Sequence, residues 1–131
     1  MKFLTITLSL VLGLAGCTAI ESTSQPSMNS LIFKNLTTTD LRDVEIRVQK
    51  LSGIFTCNII LANSFCSNGF PRRVYEGNEI TIRWTINETP HVVGPIVVTP
   101  PTFHHRNDLT AIIELHDQGQ YNAYFSFNNK P

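Results

Sequence analysis

Charged residues are scarce in this chain, and those present cancel. Only 15% of its 131 residues are Asp, Glu, Lys or Arg, with 10 acidic and 10 basic side chains. A surface that binds nucleic-acid phosphates needs clustered Lys and Arg side chains, so we expect no nucleic-acid partner. The adjacent Arg72 and Arg73 are interpreted as solvated charges. The length allows one domain with a single hydrophobic core.

Sequence signatures of catalysis are also missing. The chain has no Gly-x-Ser-x-Gly, no phosphate-binding glycine loop, no His-Glu-x-x-His and no Cys-His nucleophile arrangement. We therefore predict that the protein is not an enzyme and holds neither cofactor nor metal. One alternative stays open, a small-ligand or metal site built from His91, His104 and His105. Because adjacent His104 and His105 have no nearby ligand spacing apart from Asp108, a surface loop is the plainer interpretation.

Helical periodicity is absent from the body of the chain, and short alternating segments take its place. Ile80, Ile82 and Trp84 alternate with Thr81 and Arg83, and similar segments recur between turn signals. The pattern predicts an all-β fold, a single antiparallel β-sandwich of seven to eight strands spanning residues 31–131. The predicted core consists of Val44, Ile46, Val48, Ile80, Ile82, Trp84, Ile113, Leu115, Phe125 and Phe127. This layout resembles immunoglobulin-like and fibronectin-like sandwiches, with Trp84 in the place of a central core tryptophan.

The N-terminus carries the most specific pattern. Lys2 precedes an apolar run over residues 3–12, which is too short for a membrane-spanning helix of about 20 residues and is typical of a secretory signal peptide. The run ends in Leu14-Ala15-Gly16-Cys17, which resembles the lipobox of bacterial lipoproteins. That resemblance implies a signal peptide at residues 1–16 and a lipid anchor on Cys17. An ordinary signal peptide with a chance cysteine is the alternative.

Residues 17–30 are rich in Ser and Thr and poor in large apolar side chains, so they are expected to form a flexible tether between Cys17 and the domain. Several acyl chains would hold the protein stably at a membrane. Because Thr18, rather than aspartate, follows the cysteine, the resemblance implies the periplasmic face of the outer membrane. In a bacterium with one membrane, the expected location is the cell surface.

Two further cysteines remain for the folded domain. Cys57 and Cys66 lie nine positions apart in a chain that we expect to reach an oxidising compartment. We predict a disulfide within one hairpin or strand pair, with α-carbons within about 7 Å. The alternatives are a redox pair or metal thiolates.

A binding function is expected from these features. We predict a lipid-anchored, non-enzymatic accessory or interaction module whose partner is an envelope protein or polymer. The predicted binding surface is the end of the sandwich that carries loops 87–95 and 99–108, with His91, Phe103, His104 and His105 as its candidate residues. Prolines stiffen these loops, and an exposed aromatic such as Phe103 can anchor a partner.

Overall fold

The predicted β-sandwich is confirmed. The computed structural model describes residues 25–100 and 108–127. These residues form eight strands and one short 3-10 turn: β1 (Ser27–Asn35), β2 (Leu41–Val48), β3 (Ile54–Ile60), β4 (Phe65–Val74), β5 (Ile80–Ile86), β6 (Thr89–Ile96), β7 (Leu109–Leu115), the 3-10 turn (Asp117–Gly119) and β8 (Tyr121–Ser126). The predicted signal peptide (1–16) and lipid-bearing Cys17 lie outside the described residues. Within the described ranges, no helix is long and apolar enough to cross a bilayer.

The strands form two four-stranded sheets. Sheet one has the order β4-β1-β7-β8 and sheet two the order β3-β2-β5-β6. Strands β1 and β7 are parallel, whereas the other described pairings are antiparallel. The first two strands lie in different sheets, whereas the immunoglobulin arrangement places its first two strands in one. The alternation that predicted the strands carries no information on this order.

The core follows the period-two pattern in sheet two. Inward-facing Ile82 and Trp84 are 0% and 1% exposed, while Arg83 between them is exposed. In the parallel pair of sheet one the alternation is lost, because Ile32 and Ile112 are buried in addition to inward-facing residues. These inward-facing residues are Leu31, Phe33 and Ile113. Strands that are buried on both faces have such continuous apolar sequences. Of the predicted core, Val48, Phe125 and Phe127 are partly exposed and the others are buried.

Strand β1 begins at Ser27, four residues before the predicted domain boundary. The predicted tether therefore does not extend to residue 30. Polar side chains hold this start of the strand: the Ser27 hydroxyl donates to Asp108 at 2.5 Å, and the hydroxyls of Ser30 and Thr110 lie 2.7 Å apart. The composition rule that marked Ser27–Ser30 as linker counts apolar residues and so misses strands that are held by polar pairs.

The predicted disulfide between Cys57 and Cys66 is present, with α-carbons 6.5 Å apart. Its expected placement within one strand pair is wrong. Cys57 lies on β3 at the edge of sheet two, and Cys66 lies on β4 at the edge of sheet one. The turn between these strands carries the chain from one sheet to the other, so the bond joins the two sheets along one side.

The sandwich has two unlike ends. At the closed end Leu41 pairs with Ile86, and both side chains are buried. Asn35, which is 0% exposed, places its amide nitrogen 2.8 Å from the Thr39 carbonyl oxygen and 3.0 Å from that of Ile60, while its side-chain oxygen accepts from the Thr37 amide at 2.9 Å. A single buried side chain thus ties sheet one to sheet two. At the open end, where Val48 pairs with Ile80, the sheets part.

Candidate ligand site

A cavity of about 330 Å³ lies between the two sheets at the open end. This volume is within the range of roughly 300–1,000 Å³ that is usual for small-molecule sites. Apolar side chains from both sheets form its wall: Met28, Leu31, Ala111, Ile113 and Phe125 from sheet one, and Ile46, Val48, Phe55 and Ile80 from sheet two. Most of these are alternating inward residues, and the cavity exists because the sheets diverge beyond the reach of their side chains.

Two aromatic pairs stand in and around the cavity. The rings of Phe55 and Phe70 lie 5.2 Å apart, and those of Tyr75 and Phe125 lie 4.8 Å apart in an edge arrangement. Both pairs join different elements and so fix part of the wall. Because such rings are rigid and apolar, the site offers a preformed surface to an apolar group.

Tyr75 is the polar group that is best fixed in this wall. Its hydroxyl donates a hydrogen bond to the carbonyl oxygen of Val98, and its backbone amide donates to the carbonyl of Pro26 at 2.8 Å. Burial raises the pKa of the Tyr75 phenol above its ordinary value, so the hydroxyl stays protonated at neutral pH. Tyr75 therefore ties the start of β1 and the chain after β6 to the same point of the cavity.

Charged groups lie at the rim. Arg72 binds Asp108 at 2.7 Å from its Nε and also donates to the Ser27 hydroxyl at 3.0 Å. Arg73 places its guanidinium carbon 5.4 Å from the centre of the Phe70 ring. Among the described residues of the lining, the remaining charged side chain is Glu76, which accepts a hydrogen bond from Asn78 at 3.5 Å. The sequence interpretation of Arg72 and Arg73 as merely solvated thus misses their position beside a cavity.

The predicted binding surface is not one end of the molecule. Thr89–Ile96 form strand β6 rather than part of a loop. The connection from β5 is a two-residue turn with φ of 48° at Asn87 and 63° at Glu88, as in the tight turns that join twisted hairpin strands. This turn lies at the closed end, whereas the chain that leaves β6 through Thr99 lies at the open end.

His91, a predicted loop residue, packs within the strand region. Its ring stacks on Trp84 with centroids 5.4 Å apart and an interplanar angle of 20°. Gly119 lies so close to this ring that a β-carbon there would be 2.7 Å from His91 Nδ1. Since Gly119 also has a φ of 74°, glycine is required on both steric and backbone grounds. His91 is a packing residue here.

The other three candidates, Phe103, His104 and His105, lie outside the described residues. In the described portions of the chain, no group of three or more His, Cys, Asp or Glu side chains is arranged to hold a metal ion. The cavity itself was missed from the sequence, since its residues were assigned to the core or left unassigned. A usable signal was the cluster of aromatic residues around Phe70 and Tyr75, beside the Arg pair.

Comparison with known proteins assigns no family. No protein-family model matches the chain, and no curated protein sequence matches it. Among solved structures, the chain is similar to one titled "NMR structure of the protein from Eubacterium rectale", at 9% sequence identity and a TM-score of 0.45. The match covers 78% of this chain and 89% of that one. This likeness is too weak to assign a function.

Proposed function

We propose that the protein is a lipid-anchored, non-enzymatic binding protein of the bacterial cell envelope, and that a small apolar ligand occupies the cavity at its open end. The observation that carries the proposal is the cavity of about 330 Å³ with walls from both sheets. Its anchor is Cys17 of the lipobox-like stretch, with the periplasmic face of the outer membrane as the proposed location. An envelope protein or polymer as partner stays a prediction from the sequence.

The chemistry of the cavity supports binding over catalysis. Among the described residues that line it, the ionisable groups are Arg72, Arg73, Glu76 and two tyrosines, and none is His, Cys or Ser. The single carboxylate, Glu76, is exposed at the rim and has no second acid or base beside it in the lining. General acid–base or nucleophilic chemistry needs such a pair within hydrogen-bond reach. An apolar wall with a polar rim is instead the usual anatomy of a ligand pocket.

The cavity lies at the end of the sandwich opposite the buried Asn35 network. The closed end is held by the buried Asn35 network and the nearby Cys57–Cys66 bond. The open-end wall includes partly exposed Val48, Phe55 and Phe125. Burying a ligand against them removes apolar surface from water, at about 25 cal/mol per Å².

The direct test identifies any ligand that copurifies with the protein. Full-length protein is extracted from its own membranes in mild detergent, its intact mass is measured under native conditions, and any bound molecule is released and identified. We expect a stoichiometric apolar ligand. Ala111→Leu, which projects into the cavity, should lose it.

The matched control is Thr85→Leu, a similar enlargement on the outer face of sheet two. It should retain the ligand. Because Ala111→Leu can overpack the site, Val48→Phe serves as a second cavity-filling variant. Recovery of the same ligand at full occupancy in both cavity-filled variants, each folded, would contradict the proposal.

A further inference from the structure

We infer that the ligand is a single-chain amphiphile with an anionic head, a long-chain fatty acid taken from the adjoining membrane, whose chain fills the cavity and whose carboxylate binds Arg73. This inference rests on the proposed function, because it names the ligand class of the same cavity. Three observations on separate parts of the site support it. They are the position of Pro26, the absence of a carboxylate partner for Arg73 among the described residues, and the volume of the cavity.

The tether enters at the mouth of the cavity. The Pro26 carbonyl accepts from the backbone amide of Tyr75 at 2.8 Å, and Met28 contributes to the wall. Only nine positions separate Pro26 from Cys17, and a fully extended chain of that length spans at most roughly 30 Å. An anchor on Cys17 therefore keeps the open end within roughly 30 Å of the membrane surface. The nearest reservoir of apolar ligand is then the bilayer itself.

Among the described residues at the rim, Arg73 is the cation that is available to an anionic head group. Arg72 is already neutralised by Asp108 at 2.7 Å. No carboxylate lies within salt-bridge distance of Arg73 in the described part of the chain, and its guanidinium lies over Phe70. A guanidinium that stacks on an aromatic ring keeps its N–H groups free to bind a carboxylate in the plane of the fork. Glu76 also stands at the rim, next to Asn78, and favours a head group with one negative charge over one with several.

The size of the cavity favours a ligand with one chain. A volume of about 330 Å³ lies at the lower end of the usual range for ligand sites, roughly 300–1,000 Å³. Its wall has polar groups at the rim, and the Tyr75 hydroxyl is already committed to Val98. A flexible unbranched chain satisfies an apolar interior of this kind, whereas a polar metabolite would leave its own hydrogen-bonding groups without partners.

The test uses full-length protein reconstituted in phosphatidylcholine nanodiscs. A palmitate analogue with a photoactivatable group near its chain end is added directly, so that no acyl transfer to Cys17 takes place, and adducts are mapped by mass spectrometry after irradiation. Because the carboxylate is placed at the rim, we expect adducts on deeper wall residues, such as Leu31, Ile46 and Ile113. Unlabelled palmitate should compete roughly tenfold better than its methyl ester, since the ester lacks the charge-assisted bond to Arg73.

Arg73→Ala should abolish this preference of acid over ester, while Arg83→Ala, an exposed arginine on the outer face of sheet two, should preserve it. Equal competition by acid and ester in the unmodified chain, or adducts confined to other surfaces, would overturn the inference. So would an adduct between the cavity and the protein's own acyl chain after the probe is incorporated metabolically at Cys17. If an uncharged apolar ligand is recovered from the protein instead, the proposed function is supported and only the inference that the ligand is a fatty acid is rejected.

Discussion

The closed end and the open end of this sandwich are built from the same strands but by different means. At the closed end, buried polar groups of Asn35 and Thr37 are matched to backbone partners, and a disulfide joins the sheets nearby. At the open end, apolar side chains face a cavity, and the polar groups stay at the rim. The difference indicates that the closed end stabilises the fold and that the open end is available to bind a ligand.

The largest difference in stability between the two ends is expected on substitution of Asn35. Asn35→Ala removes a buried amide and leaves several backbone groups without partners. At about 1–3 kcal/mol for each unsatisfied group, we expect the free energy of unfolding to fall by roughly 3 kcal/mol, as measured by urea denaturation. The matched change at the open rim, Asn78→Ala, should cost within about 0.5 kcal/mol. Similar costs at the two positions would remove the distinction between the ends.

The next effect concerns the disulfide. Replacing both Cys57 and Cys66 by alanine should cost roughly 2–3 kcal/mol, because the bond closes a short loop in the unfolded chain. Reduction of the disulfide in the unmodified protein should lower the free energy of unfolding by the same amount. Since neither cysteine is among the residues that line the cavity, the ligand occupancy of the folded protein should not change. A fall in occupancy without unfolding would show that the two ends are coupled.

A smaller effect is expected at Tyr75. Tyr75→Phe removes the hydrogen bond to the Val98 carbonyl and should cost about 0.5–1.5 kcal/mol at neutral pH. Burial raises the pKa of this phenol in the folded protein, so its contribution is complete below the unfolded pKa of about 10 and is lost as pH rises through the folded pKa. The gap in stability between the two proteins should therefore narrow above about pH 10. A gap that widens with pH would contradict this sign.

Much of the fold could be predicted because its signals are local. Alternation over Ile80–Ile86 predicted β5 and the burial of Trp84, and the cysteine pair predicted the disulfide. The start of β1 at Ser27 was missed because polar hydrogen bonds hold it. Strand β6 was missed because Pro90 and Pro95 interrupt it and because Glu88 adopts a positive φ without being glycine.

The cavity could not be predicted from local sequence patterns. A cavity between sheets depends on how far two layers stand apart, and no alternation pattern encodes that distance. Val48, for example, was correctly placed facing inward, and it both packs against the core and lines the cavity. The predicted surface at His91 failed for the related reason that strand β6 separates the turn at Asn87 and Glu88 from Thr99, which lies at the opposite end.

Hydrogen exchange tests the division between the ends most directly. In full-length protein reconstituted in nanodiscs, exchange of backbone amides is measured with and without saturating palmitate. Without it, the Asn35 and Leu36 amides, which donate to Ser64 and Leu115, should exchange near the rate set by global unfolding, and the Tyr75 amide should exchange faster. We expect palmitate to slow exchange at Tyr75 and along the cavity wall and to leave Asn35 and Leu36 at their global-unfolding limit, apart from any uniform shift of that limit. Protection confined to the closed end, or a uniform shift without extra slowing at Tyr75, would contradict the account.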